Sequence, residues 1–225
     1  MRKNAAAILA GGSGKRFGAE IPKQFVSVSG KTIIEYTIEA FEKNPLIDEI
    51  CVVVNEAYMD IMNETAVKRG FSKLKAVIKG GLQRYDSSKA AIDYYKGQDI
   101  NILIHDAARP NVSQDIITAA VRALNEYEAV CTALAAADTI AIASEKGLTI
   151  SEIPPRSLMY QVQTPQGFRL DTIKRAYEKA FEDPDFHATD DCGVVKKYLP
   201  DVKIHIIKGS PENIKITYMD DLKLL

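Results

Sequence analysis

The 225-residue chain sets 29 Lys and Arg against 30 Asp and Glu and is 46% hydrophobic. That balance excludes a global basic field for nucleic acid or an anionic membrane, so any anion site must be local. Size and apolar content fit one α/β domain spanning residues 1–225. Glycines interrupt the apolar run that ends at Ala10 before it reaches the length of a signal peptide or membrane span, which implies a cytoplasmic protein.

Short apolar runs at Ala5–Leu9, Ile50–Val54, Ala76–Ile78, Ile102–Ile104 and Ala129–Ala135 alternate with segments of helical period at Ile33–Glu42, Tyr58–Lys68, Ser87–Tyr95 and Gln114–Asn125. This alternation predicts βαβ units around a mostly parallel sheet, whose strands read as continuous apolar runs because both faces are covered. From Thr139 to Ile153, β-forming residues flank a Glu145-Lys146-Gly147 turn, the pattern of a hairpin protruding from the sheet. Helical period returns at Leu170–Phe181 and Asp190–Tyr198, and a last strand pair is expected at Val202–Ile207 and Asn213–Thr217. Cys51, Cys131 and Cys192 are odd in number and widely spaced, so they read as small buried hydrophobes rather than a disulfide framework or zinc site.

In an open parallel sheet the ligand lies beyond the carboxyl ends of the strands. There the first run passes into Ala10-Gly11-Gly12-Ser13-Gly14-Lys15-Arg16-Phe17-Gly18, followed by Pro22-Lys23-Gln24. Glycines let consecutive backbone N–H groups close on phosphates. A Walker loop is ruled out because Leu9 and Arg16 stand where it needs a glycine and a hydroxyl, and a dinucleotide fingerprint fails at Phe17. A glycine loop with Arg16 and Lys23 suits a triphosphate that gains charge on its leaving pyrophosphate. The alternative is an ordinary glycine-rich turn with solvated cations.

The loop matches the nucleotidyltransferase pattern L-A-x-G-x-G-x-R…P-K-Q, and further segments follow in order. These are Gly80-Gly81 with Arg84, Asp86 and Ser87; His105-Asp106-Ala107-Ala108-Arg109-Pro110; Asp138-Thr139; Arg156 with Gln163-Thr164-Pro165-Gln166; Thr189-Asp190-Asp191; and Asn213-Ile214-Lys215-Ile216-Thr217. Together they resemble, nearly end to end, the 2-C-methyl-D-erythritol 4-phosphate cytidylyltransferases and the related ribitol 5-phosphate cytidylyltransferases. The resemblance implies a Rossmann-like nucleotidyltransferase domain that transfers CMP from CTP to a small polyol phosphate. It implies Arg16, Lys23 and Lys215 as the cations around the α-phosphate. Ala10, Gly11, Gly12 and Gly14 would lie against the nucleotide, with Gly81 and Ser87 at the cytosine. Asp106 would stand near the ribose and carry Mg2+ or another divalent cation, and Arg109, Thr139, Arg156 and Thr164 would serve the acceptor. Residues 139–163 would form an arm exchanged in a homodimer with shared active sites, where Arg156 reaches the partner's site.

The acceptor evidence divides. His105–Pro110 and Asp86-Ser87 resemble the methylerythritol branch, toward which the reading leans, while Gly11-Gly12, Met159-Tyr160-Gln161 and Cys192 resemble the ribitol branch. Ala135-Ala136-Ala137 departs from the Pro-Val common before Thr139 in the methylerythritol pattern. Two readings from other classes are a glycosyltransferase, whose Asp-x-Asp motif occurs only at Asp183-Pro184-Asp185 after a late helix, and a nucleotide sensor without chemistry. The histidines His105, His187 and His205 read as packing residues.

Overall fold

The computed structural model describes residues 2–12 and 21–224. In chain order the elements are β1 (Lys3–Ala10), β2 (Ser27–Val28), β3 (Lys31–Thr32), α1 (Ile33–Glu42), β4 (Glu49–Val54), α2 (Met59–Arg69), β5 (Leu74–Lys79), α3 (Arg84–Tyr94) and β6 (Ile100–Asp106). There follow α4 (Gln114–Ala123), β7 (Ala129–Ala135), β8 (Ile142–Ala143), β9 (Ile150–Glu152), β10 (Tyr160–Arg169), α5 (Leu170–Glu182), α6 (Asp191–Tyr198) and β11 (Ile204–Lys208).

Seven strands form one sheet in the order β11-β7-β10-β6-β1-β4-β5. All neighbours are parallel except β10, which runs antiparallel to both β6 and β7. Alternate residues of a strand face opposite ways, and in β1 both faces are buried. Ala5, Ala7 and Leu9 pack with α3, α5 and α6. Ala6, Ile8 and Ala10 pack with α1, α2 and α4. The predicted mostly parallel sheet between helical layers is what forms, and α1 spans its expected range.

Between β7 and β10 the chain leaves the sheet as a small hairpin of β8 and β9, which pair only with each other. Gly147 turns it with φ +66°, a left-handed conformation that glycine adopts without a Cβ penalty. Its apolar side chains face outward, with Leu148 84% and Ile150 64% exposed. The predicted arm is therefore present, but its last residues belong to the sheet, because Tyr160–Val162 of β10 pair with Ala133–Ala135 of β7.

The expected final strand pair does not form. β11 pairs in parallel with β7, and residues 213–217 lie outside any strand. That segment instead crosses the sheet's carboxyl edge, where Ile216 N donates to Ala108 O at 2.8 Å.

Candidate active site

The carboxyl ends of β1, β4, β5 and β6 are stitched together by loop backbone. Ala107 N donates to Leu9 O at 2.9 Å, and Gly80 N donates to Val54 O at 2.7 Å. Beyond β1, the Gln24 amide donates to Ala10 O at 2.6 Å and Gly12 O at 3.0 Å. This positions Lys23, one residue earlier, whose Nζ donates to Ile216 O.

The first turn of α3 forms the opposite wall. Ser87 is buried, and a Cβ on either Gly11 or Gly80 would come within 2.7 Å of its Oγ. At Gly81 a Cβ would lie 2.2 Å from the Asp86 Cβ. The Asp86 carboxylate holds that turn by accepting from Gln83 N at 2.9 Å. Glycine at these places is thus a packing requirement of the β1 and β5 loops against α3.

Asp106, the last residue of β6, is the centre. Its Oδ1 accepts from Arg84 Nε at 3.0 Å, its Oδ2 accepts from Lys215 Nζ at 2.7 Å, and Arg109 Nε stands 3.9 Å from Oδ2. Burial opposes ionisation of this carboxyl, but Arg84, Lys215 and Arg109 outweigh it and hold Asp106 far below the usual carboxylate range. Arg84 Nη1 also donates to Asp191 Oδ2 at 2.8 Å, and Tyr177 OH donates to Asp191 Oδ1 at 2.7 Å.

Behind Asp106, hydrogen-bonding capacity fixes a proton arrangement. Arg109 O can only accept, so His105 Nε2, 3.1 Å away, is the protonated ring nitrogen. His105 Nδ1 therefore accepts from the Thr164 hydroxyl at 3.0 Å, and that oxygen accepts Asp106 N at 3.1 Å. Burial pushes the His105 pKa down to about 4, so the ring is neutral near pH 7. Asn213 closes the other side by donating to Thr164 O at 2.8 Å, while its own carbonyl accepts from Arg109 Nη1 at 2.7 Å.

Most of the expected residues thus converge. Ala10, Gly11, Gly12, Gly81, Ser87, Asp106, Arg109, Thr164, Lys23 and Lys215 gather at the carboxyl edge of the sheet. Thr164 is buried with its hydroxyl committed to His105 and Asp106, so it shapes the strand end. Lys215, expected on a strand, projects from the irregular 213–217 segment onto Asp106. Thr139 and Arg156 are exposed on the arm, where Arg156 Nη1 donates to Ala137 O at 3.1 Å. Gly14 and Arg16 lie outside the described residues. His105 does more than pack, whereas His205 stacks on Tyr127 with ring centroids 4.1 Å apart. Sequence reasoning quoted Gln24, Arg84, Asp191 and Asn213 only as parts of motifs and did not single out Tyr177.

The mostly parallel sheet, the glycine-lined crest and the buried carboxylate gathered under cations define an α/β nucleotidyltransferase. A family model described as 2-C-methyl-D-erythritol 4-phosphate cytidylyltransferase matches residues 5–225, and the chain belongs to that family. It is therefore a cytidylyltransferase. A 2-C-methyl-D-erythritol 4-phosphate cytidylyltransferase of Thermobifida fusca is 42% identical over 97% of this chain and 90% of its own. A bifunctional ribulose 5-phosphate reductase/CDP-ribitol pyrophosphorylase of Haemophilus influenzae is 39% identical over 98% of this chain and 47% of its own. The crystal structure of 4-diphosphocytidyl-2C-methyl-D-erythritol synthase from Anaerococcus prevotii superposes with a TM-score of 0.87 at 27% identity, covering 99% of this chain and 93% of that one.

Proposed function

We propose that the chain transfers CMP from CTP to 2-C-methyl-D-erythritol 4-phosphate and releases pyrophosphate. The observation that carries this reading is the Asp106 cluster, where Lys215 pairs with the carboxylate and Lys23 binds the backbone oxygen of the next residue, Ile216, beside the glycine crest. An oxygen of the acceptor phosphate forms the new bond to the α-phosphorus while the bond to the pyrophosphate oxygen breaks. That phosphate is already largely ionised at neutral pH, so the reaction needs no general base. Lys23, Lys215 and Arg16 neutralise charge that grows in the transition state, and Gly81 and Ser87 face the pyrimidine. Arg109, Thr139 and the arm's Arg156 serve the acceptor phosphate.

The carboxylate that a divalent cation would use is Asp106, an ionised hard-oxygen donor whose two oxygens also accept from Arg84 and Lys215, so the cation would share it with them. Magnesium would rest on Asp106, complete its shell with phosphate oxygens and water, and supply charge neutralisation. The protein works in the cytoplasm as a homodimer with shared sites. Among the described residues no helix is long and apolar enough to cross a membrane. The outward apolar side chains of the arm support burial against a second copy.

The Haemophilus influenzae relative favours a second reading, with ribitol 5-phosphate as the acceptor. CTP labelled at the α-phosphate, offered with each polyol phosphate in parallel, decides between them. The expected result is label in the methylerythritol product, with equimolar pyrophosphate and the higher kcat/KM. Faster transfer to ribitol 5-phosphate would establish the second reading, and no transfer to either would reject both.

A further inference from the structure

We propose that Asp191, backed by Tyr177, is a positioning residue that acts through Arg84 to set the Asp106 carboxylate and, from it, the Lys215 ammonium. The inference rests on the reading of Lys215 as an α-phosphate cation. Asp191 is wholly buried and so is Tyr177, so neither can touch a substrate. Both oxygens of Asp191 are used, one by Tyr177 OH at 2.7 Å and the other by Arg84 Nη1 at 2.8 Å.

Burying a carboxylate under an arginine costs desolvation that an apolar pair would avoid, so stability alone is a weak reason for it. Geometry is a better one. A guanidinium is a rigid planar fork. With Nη1 pinned on α6, the direction of Nε is fixed, and Nε donates to Asp106 Oδ1 at 3.0 Å. Among the described residues Arg84 Nη2 is buried without a partner, so there the two carboxylates set the plane. The remaining oxygen, Oδ2, then receives Lys215 Nζ at 2.7 Å. Lys215 comes from a segment outside any helix or strand and its side chain is 39% exposed, so this ion pair is what directs a long, otherwise free chain. Burial and then the Asp191 charge raise the Tyr177 phenol well above its ordinary value, which keeps it a donor. α5, α6 and α3 thus each supply one link between the helical layer and the end of β6.

The test compares Asp191→Asn and Tyr177→Phe with the parental protein in steady-state CMP transfer, with folding verified by near-UV circular dichroism. Misplacing a positioned group by about 1 Å costs up to roughly 100-fold in rate. The expected result is a kcat roughly tenfold or more lower, with the KM for CTP within about threefold. In a Lys215→Ala background, Asp191→Asn should cost less than about twofold, because residues acting in series are non-additive. Full additivity in that cycle, or an unchanged kcat in folded Asp191→Asn, would overturn the proposal. Should Asp191→Asn fail to fold, Tyr177→Phe, which keeps the ring packing, decides by the same criteria. Crystal structures of the variants provide a readout without turnover. Displacement of the Arg84–Asp106–Lys215 contacts supports the positioning role, and unchanged contacts overturn it. If the parental protein transfers no CMP, the functional reading fails, and the crystallographic result alone decides whether Asp191 sets those contacts.

Discussion

Lys215 and Lys23 reach the same strand edge from opposite ends of the chain, so each should be separately required. Removing one preorganised charge donor costs roughly 3 to 4 kcal/mol of transition-state stabilisation, or two decades or more in kcat. Lys215→Ala and Lys23→Ala should show that loss in steady-state assays while keeping the parental far-UV circular dichroism. Gly81→Ala should instead act on the fold. Its Cβ would lie 2.2 Å from the Asp86 Cβ, so the α3 turn must shift. Urea denaturation should show a loss of roughly 1 to 3 kcal/mol.

His105 adds a pH dependence whose sign follows from its neutral state in the fold. Its folded pKa of about 4 lies below the 6.5 of a solvated imidazole, so between these values the unfolded chain holds a proton that the native protein does not. Stability therefore rises with pH across that window and falls on acidification from 6.5 toward 4, with about one proton taken up on unfolding. Urea midpoints measured from pH 7 to 4.5 should show this slope, and it should be shallower in His105→Gln.

Of the site residues, Asp106, Lys23 and Lys215 were legible because each sits in a short motif, although only Asp106 ends a strand. The brace behind Asp106 was not, because its partners lie far apart in the chain. Arg84 meets Asp191 across 107 positions, and Asn213 meets Thr164 across 49, so no local spacing announces either contact. Thr164 entered only through the family resemblance, and the engagement of its hydroxyl by His105 and Asp106 was not legible, because those contacts span 59 and 58 positions.

Where both faces of a strand are covered, composition announces it, and β4, β6 and β7 were read as apolar runs for that reason. β10 escaped notice because three glutamines, Pro165 and Gly167 make it look like a loop. A proline inside a central strand normally argues against the assignment. Here Pro165 falls where the register with β7 shifts, between Val162 and Gln166, so the ladder tolerates it. Asn213–Thr217 failed in the opposite sense, with a β-like pattern whose ends are held by Arg109, Lys23 and Ala108 instead of a neighbouring strand. One joint between elements can be tested directly. Asp190 caps α6 by accepting from Gly193 N at 3.2 Å and also accepts from the Gln166 amide on β10 at 2.7 Å. Asp190→Ala removes the cap and strands a buried donor, so thermal or urea unfolding should report a loss of about 1 to 3 kcal/mol.

For the whole molecule, the arm is the part whose conformation one chain explains least. An isolated hairpin is marginal in water, and this one keeps Ile142, Leu148, Ile150 and Leu158 exposed. Sedimentation should find a dimer, and a variant lacking the arm should sediment as a monomer. If Arg156 serves the neighbouring subunit's site, inactive Arg156→Ala and inactive Lys23→Ala proteins should complement when mixed. Random exchange makes about half the dimers mixed with one good site in each, so recovery should approach about a quarter of parental activity. Tagged mixed dimers that stay inactive would place Arg156 outside the partner's site.

The placement of β10 bears on the order in which the molecule assembles. β1, β4, β5 and β6 are mutual neighbours drawn from the first half of the chain and can zip together early. Within the sheet β7 is joined to those strands through β10, so although β7 is synthesised first its place in the ladder waits for residues 160–169. Late, non-local pairing slows folding and leaves strand edges open for longer. Pulse-labelling hydrogen exchange during refolding should therefore show amides of β1, β4 and β6 protected before those of β7 and β11, with the last to close being the seam that carries Thr164 against Asp106.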